Sequence, residues 1–180
     1  MKALIPIANG CEEMEAVIII DTLRRAEWNV TVAGLTAGTI EASRGVKLVP
    51  DTPWDQINPA DYDVLLLPGG FGGTEALMEH AGVLQALRDF NEKEKWVGSI
   101  CAAALALNAA GILEGRRFTC YPGVEAHLPD HLKRSTDTVV VDGHVITSQG
   151  PGTAFEFALK VIAECSSPNL SQSVREGLLL

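Results

Sequence analysis

Short apolar runs alternate along the chain with segments in which apolar positions recur every three or four residues. "KALIPIA" (2–8) has the length and composition of a buried strand. "EMEAVIIIDTLRRAE" (13–27) follows as a helix, with Met14, Val17, Ile18 and Leu23 mostly on one face. "NVTVAGL" (29–35) is a second strand, and "RGVKLVPD" (44–51) an edge strand or hairpin arm, ended by Pro50 and Pro53. "DVLLLPGG" (63–70) is a buried strand stopped by Pro68, Gly69 and Gly70. A helix from Val83 to about Lys95 leads into the strand "WVGSI" (96–100). An alanine-rich helix starts at once after Cys101 and runs to Gly111, which suits the position just past a helix end. "TVVVDGHVITS" (138–148) is two strands around an Asp142-Gly143 turn, and "GTAFEFALKVIAE" (152–164) the last long helix.

Strand–helix alternation of this kind predicts an α/β fold with a mostly parallel sheet covered by helices on both faces. A chain of 180 residues without an internal repeat, linker or low-complexity segment reads as one domain, 1–180. In such sheets ligands bind beyond the carboxyl ends of the strands. Three turns are expected there: "ANGCEEME" (8–15), "LPGGFGG" (67–73) and "SICAA" (99–103).

Composition narrows the function classes. A net charge of −9 with no Lys/Arg run argues against a nucleic-acid surface. No apolar run approaches the ~20 residues needed to cross a bilayer, and the amino-terminal run is too short for a signal peptide, so a cytoplasmic location is expected. Cys11, Cys101, Cys120 and Cys165 show neither C-x-x-C nor zinc-ligand spacing, so no metal site is expected. Cys11, Cys120 and Cys165 read as small buried hydrophobes, Cys11 in a loop.

Cys101 stands at the joint between strand and helix, flanked by the small residues Ser99 and Ala103. A strand that turns sharply into a helix exposes one side chain at its apex, as in the G-x-S-x-G elbow of serine hydrolases. The helix N-terminus would favour a thiolate and lower the thiol pKa. Two readings stand at this point: a nucleophile, or a packed cysteine at a strand end. "PGGFGG" offers backbone N–H groups to a developing oxyanion, or is simply a turn needing positive φ. It carries no Walker pattern, and the first strand is followed by no G-x-G-x-x-G. Glu12 and Glu13 read as solvent-exposed partners of the helix dipole. Glu15 is placed to turn toward the crevice, where charge repulsion and desolvation beside a thiolate would raise its pKa. His80 and His144 read as exposed, whereas His127 and His131 lie in a polar loop within reach of the crevice.

Glu15, "EEMEAV", "ASRGVKL", "YDVLLLPGG", "SICAA" and "TSQGPGTAFEFALK" occur in one order over almost the whole chain. In this the sequence resembles the ThiJ/PfpI superfamily, specifically the branch of the parkinsonism-associated DJ-one protein and its bacterial relatives. The resemblance implies a flavodoxin-like three-layer sandwich and a homodimer. It implies Cys101 as an oxidisable nucleophile, Glu15 as its protonated partner, and the backbone N–H groups of Gly70 and Ala102 as an oxyanion hole. Arg44 matches an arginine near the site and dimer interface, a substrate or anion contact, with Arg24 or Arg25 contributing across that interface. Protease-like branches place His directly after the nucleophile, where this chain has Ala102. Relatives credited with glyoxalase or deglycase activity often carry a His before a proline near the crevice. Here that position is Tyr121, before Pro122, a substrate or anion contact.

The activity implied is that of a cofactor-independent glyoxalase III or deglycase. Cys101 would add to methylglyoxal, glyoxal or an early glycation adduct, forming a hemithioacetal that ends as a hydroxy acid. Glu15 would move the protons. The alternative is a redox-responsive stress protein or chaperone that senses peroxide by oxidation of Cys101, without turnover.

Overall fold

The computed structural model describes all residues, 1–180. Strands β1 (Lys2–Ile7), β2 (Asn29–Gly34), β5 (Thr52–Pro53), β6 (Val64–Leu67), β7 (Trp96–Ile100), β8 (Val139–Asp142) and β9 (Val145–Ser148) form one sheet in the order β5-β2-β1-β6-β7-β9-β8. Every neighbouring pair is parallel except β8 with β9, the hairpin around Asp142-Gly143. The arm at 44–51 pairs as a hairpin outside this sheet, β3 (Ile40–Glu41) antiparallel to β4 (Lys47–Leu48). The main sheet's edges are the short β5 on one side and β8 on the other.

Side chains alternate along each strand, and the two faces of the sheet bury two separate cores. Leu65 and Leu67 of β6 face Leu77 of α2 (Phe71–Glu79), Val83, Leu87 and Phe90 of α3 (Ala81–Glu92), and Leu107 of α4 (Ala104–Ala109). Val64 and Leu66 face the opposite way. Ala16, Ile19 and Leu23 of α1 (Glu13–Arg25) cover them, with Phe157, Val161 and Ile162 of α5 (Ala154–Cys165). The result is a three-layer, flavodoxin-like α/β sandwich.

Three elements depart from the sequence reading. The buried face of α1 is Glu13, Glu15, Ala16, Ile19, Thr22 and Leu23. Met14 and Val17, expected inside, are 54% and 46% exposed. Ile19 and Leu23 pack against the sheet and α5, and Met14 and Val17 lie on the outer face. The glycine-rich turn does not end at Gly73. It opens α2, whose Phe71-Gly72-Gly73 start has low intrinsic helix propensity and forms because it packs on Cys11 and Gly10. A further helix, α6 (Pro168–Gly177), follows α5, begun by Ser167, whose hydroxyl accepts from Leu170 N, and by Pro168 at its first position.

Strand order dictates where the loops meet. From β1 the chain runs outward to β2 and β5, then returns to β6 on the other side of β1. The carboxyl ends of β1 and β6 therefore flank a topological switch point. The loop after β1, the Gly69–Gly70 turn and the end of β7 converge there.

Candidate functional site

Cys101 occupies a left-handed backbone conformation, φ +61°, immediately after extended Ile100. A non-glycine residue held there carries steric strain of order 1–3 kcal/mol, which the surrounding packing must hold in place. The strain is the local signature of an elbow. A single 3-10 turn, Cys101–Ala103, leads into α4. Ser99 and Ala103, small and fully buried, let strand and helix close on each other. The Cys101 side chain remains partly exposed. The backbone N–H groups of Gly70 and Ala102 face its sulfur.

Glu15 is fully buried. Its Oε2 accepts a 2.7 Å hydrogen bond from Gly69 N, while Oε1 has no partner of good geometry. The Cys101 thiol is the side chain beside it. Gly69 lies between the two groups: a Cβ there would stand 2.7 Å from Cys101 Cβ and 2.8 Å from Glu15 Oε2. The Gly69 peptide is clamped from both sides, since its carbonyl accepts from Glu12 N at 2.9 Å. Gly70 has φ +84°, and a Cβ would collide with the Gly10 and Cys11 backbone.

Burial pushes the Glu15 carboxyl up to about 7. Burial and the charge of Glu15 push the Cys101 thiol up to about 12. The sequence pointed to a lowered thiol pKa, and the structure corrects this: the thiol is raised, by burial first and by the charge of Glu15 second. The N–H groups of Gly70 and Ala102 do favour thiolate, but they are outweighed by desolvation and by the neighbouring carboxylate. The two groups titrate as a pair. With the proton on Glu15 the repelling charge is gone, and the carboxyl carries an O–H beside the Cys101 side chain.

The other expected positions divide. Tyr121 is at the site through its backbone: its N–H donates to the Cys101 carbonyl at 3.3 Å, and its half-exposed ring packs over Gly150. Arg44 has an exposed side chain with no hydrogen bond or ion pair to Cys101 or Glu15. Its backbone N–H donates to Glu13 Oε1 at 2.8 Å. Glu13 is thus not a solvated dipole partner but a buried carboxylate. Burial works to raise its pKa; hydrogen bonds from Ser43 and the Arg44 and Val46 amides outweigh that and hold it below the usual range. Glu12 caps α1 by accepting from Glu15 N at 2.7 Å. Arg24 and Arg25 lie at the far end of α1 and pair locally with Asp51 and Asp21.

Cys11 and Cys120 are buried as expected, while Cys165 is only partly so. His80 and His144 are half-buried rather than exposed: His80 caps α3 and stacks edge-on against Trp54, and His144 meets Asn91 at 2.9 Å. His131 sits in solvent beside Glu114, and His127 meets the Phe71 ring edge-on. No group of three or more His, Cys, Asp or Glu side chains is placed to hold a metal ion, and no helix is long and apolar enough to cross a membrane.

A model of the DJ-1/PfpI family matches residues 1–164. Protein dj-1beta of Drosophila melanogaster is 43% identical over 181 residues, covering 99% of this chain and 97% of the relative. The glutathione-independent glyoxalase DJR-1.2 of Caenorhabditis elegans is 33% identical over 170 residues, covering 94% and 90%. Among solved structures, Toxoplasma gondii DJ-1 in oxidized form superposes with a TM-score of 0.94 at 34% identity, covering 99% of this chain and 97% of the other.

Proposed function

The chain belongs to the DJ-1/PfpI family, and from that premise we propose that it is a cofactor-independent enzyme acting on small 2-oxoaldehydes or their early glycation adducts through Cys101. The observation that carries this reading is the elbow pair: a strained, partly exposed thiol beside a buried carboxyl raised to about 7. A glyoxalase-named relative of 33% identity supports the chemistry.

Glu15 takes the thiol proton, and the thiolate, facing the Gly70 and Ala102 N–H groups, adds to the aldehyde carbon. The same N–H groups stabilise the oxygen that develops charge on that carbon. Glu15 returns its proton to this oxygen, then removes the hydrogen from the carbon as a proton and passes it to the ketone oxygen, giving an enediol. Reprotonation at the neighbouring carbon leaves a thioester, which water cleaves to the hydroxy acid and the free thiol. The aldehyde carbon is oxidised and the ketone carbon reduced, so no external oxidant is consumed. On an early glycation adduct, a hemiaminal, the thiolate displaces the amine, which leaves with the proton held by Glu15, and the same hemithioacetal results.

The test is consumption of methylglyoxal by the purified chain beside Cys101→Ser. Turnover lost in the variant supports the enzyme. Absence of turnover in the parent, with clean peroxide oxidation of Cys101, favours the second reading, a redox-responsive protein without turnover. That reading is supported by the partial exposure of the thiol and by the oxidized form of the Toxoplasma relative.

A further inference from the structure

Between α2 and α4 lies a cavity of about 330 Å³, at the lower end of the range for small-ligand pockets. It adjoins the elbow: Phe71 follows Gly70 directly, Leu105 is one turn beyond Cys101, and α2 packs on the turn that carries the cysteine. Its apolar wall includes Phe71, Met78 and Leu105. Phe71 is 60% exposed, an aromatic ring held out at the rim, with the His127 ring edge-on at 6.3 Å.

The polar groups of the wall have no partners. Thr74 is fully buried and its Oγ1 makes no hydrogen bond. The side chains of Glu75, Asn108 and His127 make none either. No lysine or arginine lines the cavity, and Glu75 is its one carboxylate. An unpaired carboxylate and a free amide beside aromatic side chains form a set that complements positive charge on an apolar stem. The whole-chain charge of −9 has the same sign.

We propose that this cavity binds an organic cation carried on an aliphatic stem, a guanidinium of the size of an arginine side chain. Glu75 supplies the counter-charge, Asn108 a hydrogen bond, and Phe71 with His127 the flat walls. The site stands on the cavity and does not depend on the activity proposed for Cys101.

Binding of Nα-acetyl-arginine methylamide, followed by the methyl resonances of Met78 and Leu105, tests this. The citrulline analogue keeps the shape and removes the charge. The arginine probe should shift both resonances and bind at least tenfold more tightly than the citrulline probe. Glu75→Gln should erase that preference while methylglyoxal turnover stays at the parent level. Phe71→Ala should weaken both probes. Cys101→Ser should bind the arginine probe like the parent, so loss of the catalytic reading leaves this result standing. Equal binding of the two probes, an unchanged preference in Glu75→Gln, or shifts that avoid Met78 and Leu105 would each overturn the assignment.

Discussion

The proton held by the Glu15–Cys101 pair links stability to thiol chemistry and, in the function proposed above, to turnover. The Glu15 carboxyl is raised from 4.5 to about 7 in the folded chain. Between those values the folded state holds a proton that the unfolded state has released, so stability falls as pH rises through this window. The full shift is worth about 3 kcal/mol. Glu15→Gln removes the titration and keeps both an acceptor for Gly69 N and a donor toward sulfur. Thermal unfolding of the variant should therefore gain on the parent from pH 5 to pH 8, by several degrees. Its turnover of methylglyoxal should fall by ~10²–10⁴, the usual loss of general acid–base catalysis. Both variants lose the carboxylate charge that raises the parent's thiol, but Glu15→Ala loses the donor as well, so alkylation of Cys101 should need higher pH in Glu15→Ala than in Glu15→Gln. Equal pH-dependence of unfolding in parent and Glu15→Gln would remove the raised carboxyl from the argument. The same pair orders the cysteines. Burial pushes Cys165 to about 12 too, yet no N–H or acid faces its sulfur; Glu164 only adds repulsion. Graded peroxide followed by peptide mass mapping should find Cys101 modified first, ahead of Cys165 and of the buried Cys11 and Cys120.

At the scale of elements, the site depends on glycines where two backbones touch. At Gly70, φ is +84° and an added Cβ would stand 2.6 Å from Glu12 N, against backbone that cannot move aside. Gly70→Ala should cost roughly 2–4 kcal/mol in denaturant unfolding, combining left-handed strain with displaced backbone. Gly152→Ala, with no atom within 4 Å of the added Cβ, should stay within about 0.5 kcal/mol. Comparable losses in the two variants would refute the role given to close packing at Gly70. The strand–helix order, the Asp142-Gly143 hairpin and the joint at Cys101 were legible because each rests on local pattern. The start of α2 was not, because Phe71-Gly72-Gly73 becomes helical only through tertiary contact with Cys11. The Ser167-Pro168 signal of α6 is local and was there to be read. Glu15 was legible as the inward carboxyl, but Glu13 was not. Its burial comes from Ser43 and Arg44, thirty residues away and brought in by the β3–β4 hairpin.

At the scale of the whole molecule, the outer face of α1 poses the question of what covers it. Met14 and Val17 are 54% and 46% exposed, although the helix already has a complete inner face. Glu13 ties the 43–46 turn to the first turn of this helix, and Val46 on that turn is 48% exposed. Apolar side chains from adjoining elements, beside the candidate site, suit a self-complementary interface between two copies of the chain. The expected outcome is a homodimer with α1 packed against its counterpart. Sedimentation at micromolar concentration should give twice the chain mass of 19.2 kDa. Met14→Glu combined with Val17→Glu places two charges on exposed helical positions that contribute nothing to either core, so circular dichroism should be unchanged. The double variant should sediment at 19.2 kDa. If α1 is not the interface, the double variant will sediment like the parent; a parent that sediments as a monomer would leave Met14 and Val17 without a partner of this kind. Arg44 gives the dimer a functional reading as well. Its exposed side chain makes no hydrogen bond or ion pair with Cys101 or Glu15 of its own chain. If a second copy directs it, the double variant should lose turnover although Cys101, Glu15, Gly70 and Ala102 are untouched, and raising its concentration until it dimerises should restore activity.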